Sequence, residues 1–189
     1  YSSSNTNDYS TRFSASSNQS YSVDTNGQAI TWAAALTSSG GTLTKFGLGT
    51  LTLTNNSNTY SGVTTINGGI LAISADAQLG SISRLNTAAI TLNGGNLQAN
   101  QSLTLNTYRG ITLGSNDGGL AALSGATLTY GGVITDGSST NNLNINASGQ
   151  LGTVRLSGNN TFGGNTTIAA GVLLVTSDAA LGVISSNNG

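Results

Sequence analysis

The chain lacks cysteine, histidine, methionine, proline and glutamate, and only 6% of its 189 residues are charged. Without cysteine there is no disulfide framework, thiol nucleophile or zinc ribbon. Without histidine, the commonest general base and metal ligand of proteins is missing. Five basic residues are too few for the positive stripe that nucleic acid binding requires. The composition therefore predicts a protein that is not an enzyme, holds no cofactor or metal, and binds no nucleic acid.

Long apolar runs are also missing, so no membrane span is expected in this segment. Glycine, threonine, serine and asparagine make up more than half of the chain. Such a composition raises the alternative of disorder, which usually combines low hydropathy with high net charge. Here the net charge is −1 and the mean hydropathy is +0.01, which favours a folded chain.

An internal repeat organises the sequence. The segment from Gly49 to Gly80 recurs from Gly152 to Gly182, with 16 of 31 aligned positions identical. The offset of 103 residues predicts about five turns of a solenoid with roughly 20 residues per turn. The full copies cover residues 41–80 and 147–182, and their apolar positions are expected to form the core: Leu51, Leu53, Ile66, Leu71 and Ile73 in the first, and Val154, Leu156, Ile168, Leu173 and Val175 in the second.

Short apolar runs of four to six residues, separated by glycine and asparagine clusters, are typical of strands joined by sharp corners. Further candidate strands lie at 29–32, 41–46, 88–92, 96–99, 102–105, 110–114, 126–130, 132–135 and 143–146. A sandwich or barrel would also contain many short strands, but the long-range repeat favours a parallel β-solenoid. We predict about eight coils over residues 27–189, a rod roughly 40 Å long, with aliphatic ladders inside and hydroxyl or amide ladders outside.

The sequence of residues 40–74, GGTLTKFGLGTLTLTNNSNTYSGVTTINGGILAIS, followed by ADAQLG, resembles the autotransporter-associated β-strand repeat of passenger proteins. Residues 147–182 resemble a second, more diverged copy that lacks the upstream lysine. The resemblance implies an all-β fold, a right-handed parallel β-helix, in a large secreted or surface protein of bacteria. It implies no particular activity.

Few residues invite a chemical role. Asp76 and Asp178 occupy equivalent repeat positions, so we interpret them as corner caps rather than calcium or catalytic ligands. Asp117 and Asp136 lie in turn sequences and receive the same interpretation. A polysaccharide-cleaving site would need carboxylates that cluster across coils, an alternative that the sequence alone leaves open.

Lys45 is the only lysine, and we expect it to be a solvated rung residue, with a Lys–Asn isopeptide crosslink as the alternative. Tyr60 and Phe162 match across the repeats and are expected to pack against the neighbouring coil, although an exposed ring would instead suit a sugar.

Residues 1–26 have almost no aliphatic side chains but contain four of the ten aromatics, Tyr1, Tyr9, Phe13 and Tyr21. One hypothesis is that this segment is a flexible linker. The alternative hypothesis is that it is an extended arm whose aromatics dock on a neighbouring subunit or on the solenoid flank.

The function expected from these patterns is non-enzymatic. We predict an extracellular structural or adhesive protein of the bacterial cell surface, a stiff stalk or fibre that associates with itself head to tail. The alternative is a carbohydrate-binding or polysaccharide-cleaving β-helix module. The expected partners are therefore copies of the chain itself, or adjoining coils of a longer chain, and surface glycans.

Overall fold

The computed structural model describes residues 1–82, 88–137, 140–147 and 149–183. Within these ranges the secondary structure is short strands and three single-turn 3₁₀ helices, at Ser10–Arg12, Asp76–Leu79 and Asp178–Leu181. The strands are β1 (Ser20–Asp24), β2 (Ala29–Trp32), β3 (Thr42–Phe46), β4 (Thr50–Leu53), β5 (Thr64–Ile66), β6 (Gly69–Ile73), β7 (Ile90–Leu92), β8 (Gly95–Ala99), β9 (Leu103–Leu105), β10 (Ile111–Leu113), β11 (Gly118–Ala122), β12 (Thr127–Tyr130), β13 (Ile134–Thr135), β14 (Leu143–Ile145), β15 (Thr153–Leu156), β16 (Thr166–Ile168) and β17 (Val172–Val175).

The strands form three parallel sheets that wind around one core. Sheet A has the order β1-β3-β5-β7-β10-β13, sheet B the order β2-β4-β6-β8-β11-β14-β16, and sheet C the order β9-β12-β15-β17. Each strand pairs with one a full coil away in the sequence, as a solenoid requires. The predicted all-β parallel solenoid is therefore confirmed. No helix in the described ranges is long and apolar enough to span a membrane.

An aliphatic ladder along sheet B forms the spine of the core. Its members stand directly above one another and are buried except at the last position: Ile30, Leu51, Leu71, Leu97, Leu120, Ile145 and Ile168. The outward column of sheet A is a hydroxyl ladder: Ser22, Thr44, Thr65, Thr91, Thr112 and Thr135. Strand alternation thus separates apolar from hydroxyl side chains, as the sequence pattern predicted.

The coil count is lower than expected. The six steps of the sheet B ladder from Ile30 to Ile168 average 23 residues, and single steps range from 20 to 26 residues. The longest step, from Leu71 to Leu97, contains the 3₁₀ turn Asp76–Leu79. Because the coils are longer than 20 residues, the chain makes about six turns rather than eight, and the rod is about 29 Å long rather than 40 Å at 4.8 Å per rung.

The two repeat copies lie on different faces of the solenoid. Leu51 belongs to sheet B, whereas its equivalent, Val154, belongs to sheet C. Four steps from coil to coil in sheet B lead from Leu51 to Ile145. Val154 follows nine residues later, on the next face of the solenoid. The offset of 103 residues is therefore four turns and one face, not five full turns. Equivalent segments of the two copies thus form strands with the same burial pattern on two different faces.

Strands β1 and β11 were not expected from the sequence. Strand β1 lies within the predicted arm, so the solenoid begins at Ser20 rather than at residue 27. Its alternation of Tyr21 and Val23 with serine and aspartate has the period of a strand, but it contains only one aliphatic side chain. Strand β11 is built from glycine, alanine and one leucine, and every residue in it is buried. Small residues give a weak strand signal even where both faces are covered.

Candidate functional site

The N-terminal residues fold back over the first coil and cover its open end. The centroid of the Phe13 ring lies 4.7 Å from that of Trp32, in an edge-to-face arrangement, and 5.9 Å from that of Tyr21. Tyr1 and Tyr9 stack on each other at 5.7 Å. These rings shield the first rung, where Trp32 and Tyr21 are buried. Residues 1–19 therefore form an N-terminal cap packed on the solenoid, a placement that the sequence had left open.

Side-chain hydrogen bonds hold the cap in place. Asp8 Oδ2 accepts the Ala33 N–H at 2.8 Å, and Ser10 Oγ accepts the Ala34 N–H at 3.0 Å. Burial alone would raise the pKa of Asp8, but hydrogen bonds from Ser10 and Ala33 lower it below its usual value. The cap thereby satisfies backbone donors that would otherwise be left unpaired where β2 ends.

The four aromatic residues were predicted to dock on a neighbouring subunit or on the solenoid flank, and they contact their own chain. The Tyr21 hydroxyl donates to the Ser14 carbonyl at 3.0 Å, and its ring lies 6.5 Å from that of Tyr60. The Trp32 Nε1–H donates to the Tyr1 hydroxyl at 3.1 Å. Docking of these rings on a second copy stays a prediction.

Two clefts adjoin at Asp24, and together we name them the Asp24 groove. The first has a volume of about 180 Å³, and its lining consists of Tyr1, Tyr9, Phe13, Ser22, Val23, Asp24 and Trp32. The second, at the corner between sheets A and B, has a volume of about 350 Å³, and its lining consists of Asp24, Asn26, Gly27, Gly47 and Leu48. The groove therefore joins an aromatic wall to a corner with an apolar tip, because Leu48 is 86% exposed.

Lys45 lies beneath this corner, and the expectation that it is solvated is wrong. Lys45 lies two residues after Leu43 in strand β3, so both side chains point to the same, inward side of the sheet. It is fully buried there, between Val23 and Ile66 of the neighbouring coils. Its Nζ donates to the carbonyls of Gly47 and Gly68, each at 2.9 Å. Burial lowers the pKa of Lys45 to about 8, against the opposing effect of the Asp24 charge.

Buried asparagines at equivalent repeat corners connect three successive coils. Asn58 Oδ1 accepts the Leu36 N–H of the preceding coil at 2.8 Å, and its Nδ2 donates to the Gln78 carbonyl of the following coil at 2.7 Å. Asn160 does the same in the second copy, with the Ile134 N–H at 2.8 Å and the Ala180 carbonyl at 2.6 Å. Sequence reasoning missed this role, although the shared Asn-Thr-aromatic triplet of both copies was its signal.

The matched aromatics pack as predicted. Tyr60 and Phe162 are fully buried, and each ring lies against a glycine of the next coil. Gly80 has φ of +75° and Gly182 has φ of +88°. A Cβ at Gly80 would overlap the Tyr60 carbonyl oxygen and lie 2.9 Å from the Tyr60 ring. These glycines are therefore required both by conformation and by the close approach of the aromatic corner.

Three of the aspartates predicted to be corner caps make hydrogen bonds to a neighbouring coil: Asp76, Asp117 and Asp136. Asp76 Oδ1 accepts from Arg109 Nε at 2.8 Å, and Arg109 also donates to the carbonyls of Leu79 and Gly80. This buried guanidinium fixes the 3₁₀ turn of one coil to the next. The repeat equivalent of Asp76, Asp178, starts the third 3₁₀ turn and is exposed.

Two further aspartates brace neighbouring coils in the same way. Asp117 accepts hydrogen bonds from the N–H and the Nδ2 of Asn142, at 2.8 and 3.0 Å. Asp136 Oδ2 accepts the Gly163 N–H at 2.7 Å. Across the described residues, no three acidic side chains gather in a way that could hold a metal ion.

The predicted repeat core is not equally enclosed in the two copies. Leu51, Leu53, Ile66, Leu71 and Ile73 are all buried, as are Val154 and Leu156 of the second copy. Leu173 is only partly buried, Ile168 is 54% exposed and Val175 is 40% exposed. These three residues lie on β16 and β17, the last strands described in their sheets, so no further described coil covers them.

The stacked parallel coils, with amide and aromatic corners at equivalent positions, define a β-solenoid repeat protein. Residues 43–73 and 151–175 match the family model of the passenger-associated-transport-repeat. A stretch of 132 residues, 67% of the chain, is 38% identical to the adhesin BmaC autotransporter of Brucella suis biovar 1 (strain 1330). The chain spans only 4% of the length of that relative. No solved structure matches it.

The chain thus belongs to the autotransporter passenger repeat proteins, and the resemblance of residues 40–74 is confirmed.

Proposed function

We propose that this chain is a segment of an adhesive passenger on the bacterial cell surface, in which the solenoid is a stiff, non-enzymatic scaffold. The match to two passenger repeats and the likeness to an autotransporter adhesin support this role. The single structural observation that carries it is the unbroken ladder of seven rungs in sheet B.

Stiffness follows from how the coils are joined. Every step between rungs adds backbone hydrogen bonds, and every step except the last also joins two buried aliphatic side chains. Between several coils, a buried polar side chain adds a crosslink, as Asn58, Lys45 and Arg109 do. Bending the column would break several of these contacts at once, so the scaffold can hold a binding surface at a fixed distance and orientation.

A display experiment tests the adhesive role. The chain is fused between an outer-surface anchor and an epitope tag, and adherence of the bacteria to cultured epithelial cells is counted. We expect adherence to rise severalfold over the anchor alone. The control is the same fusion with Leu97→Asp, which buries a charge in the core and prevents folding. Equal adherence of the folded and unfolded fusions would overturn the adhesive part of the proposal.

Head-to-tail self-association is a further part of this proposal. The exposed apolar residues of β16 and β17 provide one edge for it, whereas the N-terminal cap covers the other. Joining the ends would therefore require the cap to leave the first rung. Sedimentation of the purified chain with and without Phe13→Ala, which loosens the cap, measures this. Monomers in both samples at high concentration would rule out polymerisation of this segment.

A further inference from the structure

We propose that the Asp24 groove is a binding site for a neutral saccharide. The groove combines three features on one face of the first two coils: an aromatic wall, a carboxylate with an unused oxygen, and an exposed apolar rim. The larger of the two clefts, at about 350 Å³, lies within the range of about 300–1,000 Å³ that is typical of small-molecule sites.

The rings suit the apolar face of a pyranose. Tyr1, Tyr9 and Phe13 line the cleft, and each of these residues is only partly buried. On the other side of Asp24, Phe46 stands directly beside it in the sheet and is 40% exposed. The negative faces of such rings attract the weakly positive C–H groups of a sugar.

The polar groups of the groove suit sugar hydroxyls. Asp24 Oδ1 accepts the Asn26 N–H at 2.7 Å. In the part of the chain that the structure describes, Asp24 Oδ2 receives no hydrogen bond. A carboxylate oxygen with free lone pairs is a strong acceptor for a hydroxyl donor. The Ser22 hydroxyl lines the same cleft and is exposed, so it adds a group that both donates and accepts.

The charges around the groove favour a neutral ligand over an ionic one. Lys45, buried beneath the corner, already interacts with the Asp24 carboxylate. Arg12 lies 5.7 Å above the Tyr9 ring and occupies the position that a cationic ligand would take. These two positive charges oppose a cation, while Asp24 itself opposes an anion. A polyhydroxyl ligand without charge avoids both penalties.

Trp32 provides a built-in reporter because it is the only tryptophan and lines the aromatic cleft. Its fluorescence is followed while the purified full chain is titrated with neutral trisaccharides of glucose, galactose, mannose and N-acetylglucosamine. Choline and inorganic phosphate serve as the cationic and anionic probes. We expect saturable fluorescence changes at millimolar or lower concentrations with at least one trisaccharide and none with the two ions. This assay is made in solution, so its outcome is independent of the surface display experiment.

Two variants locate the site without disturbing the core. Asp24→Asn keeps the acceptor for the Asn26 N–H but removes the charge, and we expect affinity to fall about tenfold. Phe46→Ala removes the exposed ring and should weaken binding severalfold. Asp178→Asn, an exposed aspartate at the other end of the solenoid, is the matched control and should bind as the parent does. Circular dichroism confirms that each variant is folded.

The proposal is overturned by any of three results. The first is the absence of a fluorescence response to all four trisaccharides at concentrations up to about 20 mM, which would detect even a Kd well above 1 mM. The second is binding that neither Asp24→Asn nor Phe46→Ala weakens, which would place the sugar elsewhere. The third is saturable binding of choline or phosphate in preference to every sugar.

Discussion

Replacing Asn58 with alanine removes a buried amide that connects three coils. In the parent, the Leu36 N–H and the Gln78 carbonyl each have the Asn58 side chain as a partner, at 2.8 and 2.7 Å. Asn58 is 5% exposed, so water reaches this corner poorly. Alanine satisfies neither group, and both backbone groups lose their partner inside the protein.

The magnitude follows from the number of groups left unpaired. A buried donor or acceptor without a partner costs about 1–3 kcal/mol. Two such groups predict a loss of about 2–6 kcal/mol in the free energy of unfolding, or roughly 4–24 °C in Tm for a chain of this size. Asn159→Ala, which changes an exposed asparagine beside Asn160, is the control and should stay within about 0.5 kcal/mol.

Amide hydrogen exchange measures the effect where it arises. The Leu36 amide should be strongly protected in the parent and should lose most of its protection in Asn58→Ala, since its acceptor is gone. Global thermal unfolding gives the total cost. If the Leu36 amide stays protected and Tm changes by less than 2 °C, about 1 kcal/mol or less, the amide does not clamp the coils as argued.

Replacing Asn58 with aspartate tests the direction in which stability changes with pH. In Asn58→Asp the new side chain accepts the Leu36 N–H, but when ionised it repels the Gln78 carbonyl. Burial raises the pKa of such a carboxyl above its unfolded value of about 3.9. The variant should therefore be most stable below pH 4, where the acid donates to Gln78, and should lose stability as pH rises.

Three further perturbations test other contacts. Because the pKa of Lys45 is lowered to about 8 by burial, the unfolded chain binds more protons between pH 8 and 10.5, so stability should rise with pH there by about 1–2 kcal/mol after allowance for screening. Urea melts of the parent against Lys45→Met, which lacks this rise, check the prediction, and parallel curves would contradict it. Arg109→Met should cost about 2–4 kcal/mol, because the carbonyls of Asp76, Leu79 and Gly80 lose this donor and the Asp76 carboxylate keeps only the Asn106 N–H; a double-mutant cycle with Asp76→Ala that gives no coupling would refute the ion pair. Gly80→Ala should destabilise more than Gly27→Ala, since both have positive φ but only Gly80 faces an aromatic corner, and equal Tm values would show that sterics are unimportant there.

Local patterns predicted most strands of this protein. All nine segments proposed as strands contain one, because alternating apolar and hydroxyl residues bounded by glycine or asparagine have a single compatible geometry. The corner positions of Tyr60 and Phe162 were also predictable, since both copies of the repeat place them before the same turn. The missed strand β11 contains mainly glycine and alanine, which give little local signal.

The candidate groove could not be predicted from the sequence. Asp24 and Phe46 are 22 residues apart, and only the register between β1 and β3 places them side by side. Phe13 meets Trp32 because the cap folds back over the first rung, which no local pattern specifies. Likewise, Lys45 was expected to be solvated, and the carbonyls that accept from its buried Nζ come from residues 47 and 68 in two different coils.

The sequence alone determined that this is a parallel β-solenoid with aliphatic rungs and asparagine corners, because those patterns repeat within each coil and depend on neighbours close in the chain. The tertiary structure alone decided the coil length, the face on which each repeat copy lies, and which distant side chains meet at Asp24. Those features depend on contacts between coils, and the loops that set the register from one coil to the next vary in length without an apolar pattern of their own.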